Sequence, residues 1–259
     1  MSILDRIIAV KREEVAARKR KIPVRDLEAT LFARRKCLSV RQALEQSATG
    51  IIAEFKRKSP SKGFIHENAG VQEVVLAYQR EGAAVCSVLT DRTFFGGDLL
   101  DLALARQVAG LPLLRKDFVV DEYQLIEAKA AGADAVLLIA AVLSLRQCTD
   151  YTLLAHELGL EVLLEIHGEE ELERIGAETD LIGVNNRNLA TFRTDIYTSF
   201  ELASKIPPGY LKVSESGIHS LETLKALRKA GFSGFLIGEH FMQESDPGAA
   251  LQKFLSHDD

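Results

Sequence analysis

Charged side chains recur in this chain where apolar runs of strand type come to an end. Glu54 and Lys56 close the run that starts at Ile51, and Lys116 follows Pro112–Leu114. Glu165 ends Glu161–Glu165, Asn185 ends Leu181–Asn185 with Arg187 just beyond it, and Glu215 follows Leu211–Ser214. Carboxylates and ammonium groups gathered in one place do general acid–base work, and lysine or arginine can also grip an anion. Successive side chains on a strand alternate faces, so Glu54 and Lys56 share a face with Ile52, while Ala53 and Phe55 take the other. The same parity groups Lys116 with Pro112 and Leu114, Glu165 with Leu163, and Asn185 with Leu181 and Gly183. Any one of these residues also fits a solvated ion at a strand end. Their recurrence at so many ends favours a site.

Two further turns suit an anionic ligand. S-E-S-G-I-H-S after the seventh strand candidate and I-G-E after the eighth combine small residues with a helix start, so that backbone N–H groups can approach a phosphate closely. Ser216, Gly217 and Gly238 are the candidates, and Glu239, whose charge repels phosphate, is expected to contribute only its backbone. The segment T-D-R-T-F-F-G-G, 90–97, puts Phe94 and Phe95 beside two glycines on a loop. Paired aromatics fit a core, but on a loop at an active face Phe95, with Phe118 of R-K-D-F, fits an apolar wall for a flat ring.

Positioning such residues requires strand ends that converge. From Ile51 the chain alternates short apolar runs with longer amphipathic ones. The remaining strand candidates are Val85–Leu89, Ala135–Ile139 and Gly234–Ile237. Helical patterns fall at Val71–Glu81, Leu99–Val108, Glu122–Ala131, Ser144–Leu158, Glu169–Ile175, Ile196–Ser204, Ser220–Ala230 and Pro247–Leu255. Gly82, Gly132, Gly159, Gly176 and Gly231 stand where left-handed helix terminators are expected. Eight strand–helix units match an α/β fold, a single (β/α)8 TIM barrel of about 200 residues whose catalytic groups sit at the carboxyl ends of its strands. An open doubly wound sheet is the alternative, but no G-x-G-x-x-G follows the first strand. Before the barrel, 3–20 reads as an amphipathic helix packed on its own domain, with shorter helices near Val24–Ala33 and Val40–Gln46. We expect one domain, with 1–49 a helical extension and 50–259 the barrel.

Composition sets the outer bounds. The 259 residues are 47% hydrophobic and 27% charged, with a net charge of −5. This is enough for a real core and argues against nucleic acid as a partner. No apolar run approaches the roughly 20 residues that span a bilayer, and the charged N-terminus is no secretory signal. Cys37, Cys86 and Cys148 match no metal or redox pattern and read as reduced thiols in a cytoplasmic protein. His66, His156, His167, His219, His240 and His257 include no H-E-x-x-H pair, so neither a metal nor another cofactor is expected.

Taken together, A-E-F-K-R-K-S-P-S-K-G at 53–63, S-V-L-T-D at 87–91 and F-F-G-G at 94–97 resemble the indole-3-glycerol-phosphate synthase family. So do L-R-K-D-F at 114–118, L-L-E-I at 163–166, I-G-V-N-N-R-N-L at 182–189, S-E-S-G-I at 214–218 and I-G-E at 237–239. The resemblance implies a phosphorylated small-molecule substrate, 1-(2-carboxyphenylamino)-1-deoxyribulose 5-phosphate, closed to indole-3-glycerol phosphate with loss of carbon dioxide and water. It implies Lys116 as general acid, Lys56 as donor for the dehydration and Glu54 as base. Glu165, Asn185 and Glu215 complete the catalytic set, with Ser59, Phe95, Phe118 and Arg187 binding substrate. A second cation nearby is expected to lower the Lys116 pKa and sharpen it as an acid. Asn186 receives no role. An isomerase barrel acting on a related phosphorylated aromatic needs a cysteine base near its first strand, and here only Cys37 precedes it. A barrel kept only for binding is expected to have lost its polar strand ends. Protein partners are left unassigned.

Overall fold

A computed structural model of the chain describes residues 2–30, 32–188, 191 and 193–256. Leu189, the last residue of the sixth-strand motif, and His257 lie outside the described residues.

Eight parallel strands close into a barrel. In chain order they are Ile51–Phe55, Val85–Leu89, Leu113–Lys116, Ala135–Ile139, Glu161–Ile166, Leu181–Asn185, Leu211–Glu215 and Gly234–Ile237. Each pairs with its sequence neighbours, and the eighth closes on the first through Ile51 opposite Phe235. The third strand starts at Leu113 and not at Pro112. Proline has no N–H for a ladder, although its carbonyl still accepts from Cys86 N. Pairing of Leu89 with Lys116 carries that strand to its lysine.

Strand parity separates two buried layers. Ile52, Leu114, Leu137, Leu163, Val213 and Leu236 fill the interior. Ile51, Ala53, Phe55, Val88, Leu138, Val162 and Val184 pack outward beneath the helices. Strands buried on both faces explain the near-continuous apolar runs in the sequence.

Helices follow seven of the strands as expected, including Val71–Arg80, Leu99–Val108, Tyr123–Ala130 and Leu145–Glu157. The segment after the fifth strand differs: Glu169–Arg174 is a 3-10 helix. It lies between Gly168 and Gly176 and keeps to the short i→i+3 form in which 3-10 helices usually occur. The expected helix near Val24–Ala33 stops at Glu28. Some features were not expected, among them a short helix Glu239–Met242 directly after the eighth strand. Lys58–Ser59 pairs with Gly63–Phe64 as a small antiparallel ladder in the loop after the first strand, and Arg92–Phe95 forms one helical turn.

The helix Ile3–Lys21 buries Ile7, Lys11 and Val15. Its Lys11 reaches Asp91 and Asp117, just beyond the second and third strands, so this helix lies against the carboxyl-end rim. The helix Val40–Gln46 sits at the opposite end. Ser39 and Arg41 bond Glu161, the first residue of the fifth strand, and Leu44 packs beside Gly234, the first of the eighth. Among the described residues no helix is long and apolar enough to cross a membrane.

Candidate active site

The carboxyl ends of the strands enclose a pocket. It is lined by Glu54 and Lys56 from the first strand, Lys116 from the third, Glu165 from the fifth, Asn185 and Arg187 from the sixth, and Glu215 from the seventh. Phe95, Phe118, Ser216, Gly217, Gly238 and Glu239 line it too. Every sequence-derived candidate is therefore brought together except Ser59. That side chain is buried in the loop after the first strand, where its hydroxyl accepts from Lys62 N, and the neighbouring Pro60 lines the pocket instead.

Lys116 is the electrostatic centre. Its Nζ lies 3.0 Å from Glu165 Oε2 and 3.1 Å from Glu215 Oε2. Burial alone would favour the neutral amine, but the charges of Glu165, Glu215 and Glu54 outweigh it and hold the pKa above the ordinary lysine value. This corrects the expectation of a lowered pKa. Lys56 lines the same pocket, but its ammonium is taken by Glu54 Oε1 at 2.8 Å, whereas carboxylates crowd Lys116.

The two carboxylates on Lys116 differ from one another. Burial would raise Glu165, yet Lys116 and His167 keep it below the usual carboxylate range. Burial pushes Glu215 upward, and the neighbouring charge of Glu165 adds to the effect. Neither Glu215 oxygen has a hydrogen bond of good geometry among the described residues, despite the approach of Lys116. Two carboxyl groups sharing one cation are thus driven apart in acidity, one held ionised and the other biased toward its protonated form.

Glycine makes room for these acids. A Cβ on Gly183 would strike the Glu215 carboxylate, and one on Gly238 would strike Glu54. The inward face of the sixth strand therefore carries no side chain at that level, which is why Glu215 can lie across it.

Around the rim, Asn185 Oδ1 accepts from Arg187 N at 3.0 Å. The Arg187 guanidinium reaches Glu239 at 3.1 Å, and Lys62 reaches the same carboxylate at 2.7 Å. The charge of Glu239 is thereby neutralised by residues of two other loops. Phe95 and Phe118 face one another with ring centroids 5.9 Å apart, an apolar wall on one side of the pocket. Asp91 accepts from the N–H groups of Phe94 and Phe95 and so fixes the helical turn that carries the first ring.

Sequence reasoning missed several residues. His167 lies just past the fifth strand, with Nε2 3.3 Å from Glu165 and its backbone N–H donating to Glu171. Both acids lie within ion-pair distance of the ring, and their pull outweighs burial and raises its pKa to about 10. His219 and His240 line the pocket beside the two glycine turns, with ring centroids 5.9 Å apart. Their places in S-G-I-H and G-E-H were the only signal. Asn186, given no role, is fully engaged in hydrogen bonds beneath the seventh-strand turn.

Comparison with known proteins follows the same lines. A family profile described as indole-3-glycerol phosphate synthase matches residues 4–254. An indole-3-glycerol phosphate synthase of Bacteroides thetaiotaomicron is 53% identical over 98% of this chain and 97% of that protein. One of Burkholderia ambifaria is 46% identical over 97% and 98%. Among solved structures, 3-hexulose-6-phosphate synthase from Salmonella typhimurium superposes with a TM-score of 0.62 at 14% identity, over 79% of this chain and 96% of that one. A tryptophan synthase complex from Pyrococcus furiosus gives 0.59 at 16% identity, over 81% and 96%. Likeness at that level of identity is a likeness of barrels.

Proposed function

The chain belongs to the indole-3-glycerol phosphate synthase family, and from that premise we propose how its residues divide the work. The reaction closes 1-(2-carboxyphenylamino)-1-deoxyribulose 5-phosphate to indole-3-glycerol phosphate with loss of carbon dioxide and water, a carboxy-lyase step of tryptophan biosynthesis. Its first demand is contact between the carboxylated ring carbon and the ketone carbon, for which both ends of a flexible substrate must be held.

The Ser216–Gly217 and Gly238–Glu239 turns take the phosphate through backbone N–H groups, and the Phe95–Phe118 wall takes the aromatic ring. As the ring carbon attacks, the ketone oxygen gains charge. Lys116 hydrogen-bonds that oxygen and protonates it. A raised pKa does not disqualify Lys116, because an alkoxide is far more basic than an amine. It keeps the ammonium charged where the negative charge develops. Loss of carbon dioxide then restores the aromatic ring with little further assistance.

Lys56 serves as proton donor in the later dehydration, with Glu54 as the base that takes the proton lost as the indole aromatises. Glu165 holds Lys116 and stabilises the iminium charge, and Glu215 supplies a second, more easily protonated carboxyl beside it. Arg187 and Lys56 receive the substrate carboxylate, with Asn185 setting the Arg187 backbone. The observation that carries this reading is the Lys116 ammonium held between Glu165 and Glu215 in the pocket that Lys56 also lines.

The chain contains no tryptophan. Mixing enzyme with the substrate should therefore produce indole emission over a tyrosine background alone. Absence of that emission, with folded protein and intact substrate, would remove the assignment.

A further inference from the structure

Asn186 lies next to two residues placed in the site, yet its own side chain points away from the pocket's chemistry. It is 2% exposed, and both of its polar atoms are engaged. Oδ1 accepts from the Ser199 backbone N–H at 3.0 Å and from the Ser199 hydroxyl at 2.8 Å. The Ser199 N–H can only donate, which fixes the orientation of the amide and turns Nδ2 toward the seventh strand. There Nδ2 donates to Ser214 Oγ at 3.1 Å and to the carbonyl oxygens of Glu215 and Ser216, each at 3.0 Å. The Asn186 backbone N–H adds a second bond to the Glu215 carbonyl at 2.9 Å.

Those two carbonyls decide where the next N–H groups go. In a planar trans peptide the C=O and the following N–H point in opposite directions. Holding the Glu215 and Ser216 carbonyls toward Asn186 turns the N–H groups of Ser216 and Gly217 away from it. Among the described residues neither N–H donates a hydrogen bond, and both residues line the pocket. The turn does not adopt this shape by default. Ser216, at φ 67°, is the only non-glycine among the described residues with positive φ, in a region that disfavours any side chain.

We infer that Asn186 is a positioning residue for the substrate phosphate: by gripping the Glu215 and Ser216 carbonyls, it aims the Ser216 and Gly217 N–H groups at the anion. The inference rests on reading the Ser216–Gly217 turn as the phosphate seat. Ser199, in the first turn of the helix Tyr197–Ala203, braces the amide, so the anchor runs from that helix through Asn186 to the turn.

The test is steady-state kinetics of the full chain with Asn186→Ala, with inorganic phosphate as the inhibitory probe. Hydrogen bonds to a charged ligand are the ones at stake, so KM and the phosphate inhibition constant should both rise about tenfold or more, with kcat within about threefold. A role only in folding would reduce the fraction of active enzyme, lowering kcat and leaving KM and the phosphate constant in place. That result would overturn the inference. If Asn186→Ala does not fold, Ser199→Ala removes the hydroxyl brace without touching the turn. It should raise both constants at least about twofold, and unchanged constants there would also defeat the proposal. Wild-type enzyme that phosphate does not inhibit competitively would instead show that the turn is no phosphate seat, and both readings would fall together.

Discussion

Lys116 illustrates how a residue's neighbours revise its chemistry. Read alone, a lysine at a strand end in a basic motif suggests an acid sharpened by like charge. Surrounded by Glu165, Glu215 and Glu54 it is a persistent ammonium, and in the proposed reaction it meets an oxygen that becomes a strong base. Lys116→Met should lower kcat by about 10²- to 10⁴-fold, the range typical of a lost general acid. Substrate KM should change little, because the methionine keeps the aliphatic stem. A mutant with near wild-type turnover would take Lys116 out of that role.

His167 makes a second prediction at this scale. Its pKa is raised from 6.5 to about 10 by Glu165 and Glu171, so the folded state binds its proton more tightly than the unfolded chain does. Stability from this residue is fully present below pH 6.5 and is lost as pH rises toward 10. The difference in urea midpoint between wild type and His167→Gln should therefore be greatest near pH 6 and shrink through that window. A difference that stays constant to pH 10 would show that the imidazole is not held as a cation.

At the scale of elements, Glu14 and Lys19 of the helix Ile3–Lys21 bond Thr93 and Asp121 at the edge of the active face, and Lys11 is its buried tie. Lys11 is 1% exposed, with Nζ 2.8 Å from Asp91, 3.0 Å from Asp117 and 3.1 Å from Glu14. Asp117 also accepts from Thr90 and pairs with Arg115. Asp91 and Asp117 are buried and stand in the loops that carry Phe95 and Phe118. Removing the partner of a buried charge typically costs about 3–5 kcal/mol. Lys11→Met should destabilise the fold by that order in chemical denaturation. A loss below about 1 kcal/mol, the range of surface ion pairs, would mean that the cluster is not the tie it looks to be.

For the molecule as a whole, acid should be the weak side. Asp117 and Glu165 are both buried and held below their ordinary values by lysine partners, Asp117 chiefly by Lys11 and Arg115. Depressed carboxyl groups give stability that is present above the unfolded pKa values of about 4 and is lost as pH falls below them. Circular dichroism should show cooperative acid unfolding beginning below about pH 4. The transition should be shallower in Lys11→Met, which no longer depresses Asp117. Equal acid sensitivity in both proteins would place the acid-labile groups elsewhere.

Much of this was written in the linear order of residues. The barrel was legible because strands buried on both faces leave dense apolar runs, and glycines end the helices between them. Most of the pocket was legible because inward parity and strand-end position are local properties: period two groups Glu54, Lys56, Lys116, Glu165 and Asn185 with inward residues of their strands, and Glu215 was marked by its place at the end of the seventh run. The carboxylates that crowd Lys116 were not, since Glu165 and Glu215 meet it only when strands 49 and 99 residues further on curve round to face it. Nor was the place of the N-terminal helices. An amphipathic pattern states that a face is buried but not against what, and only the closed barrel puts Lys11 at the active rim and Leu44 at the floor. Asn186 was silent for the same reason. Its worth lies in two carbonyls about thirty positions away, and a backbone oxygen leaves no mark in a sequence.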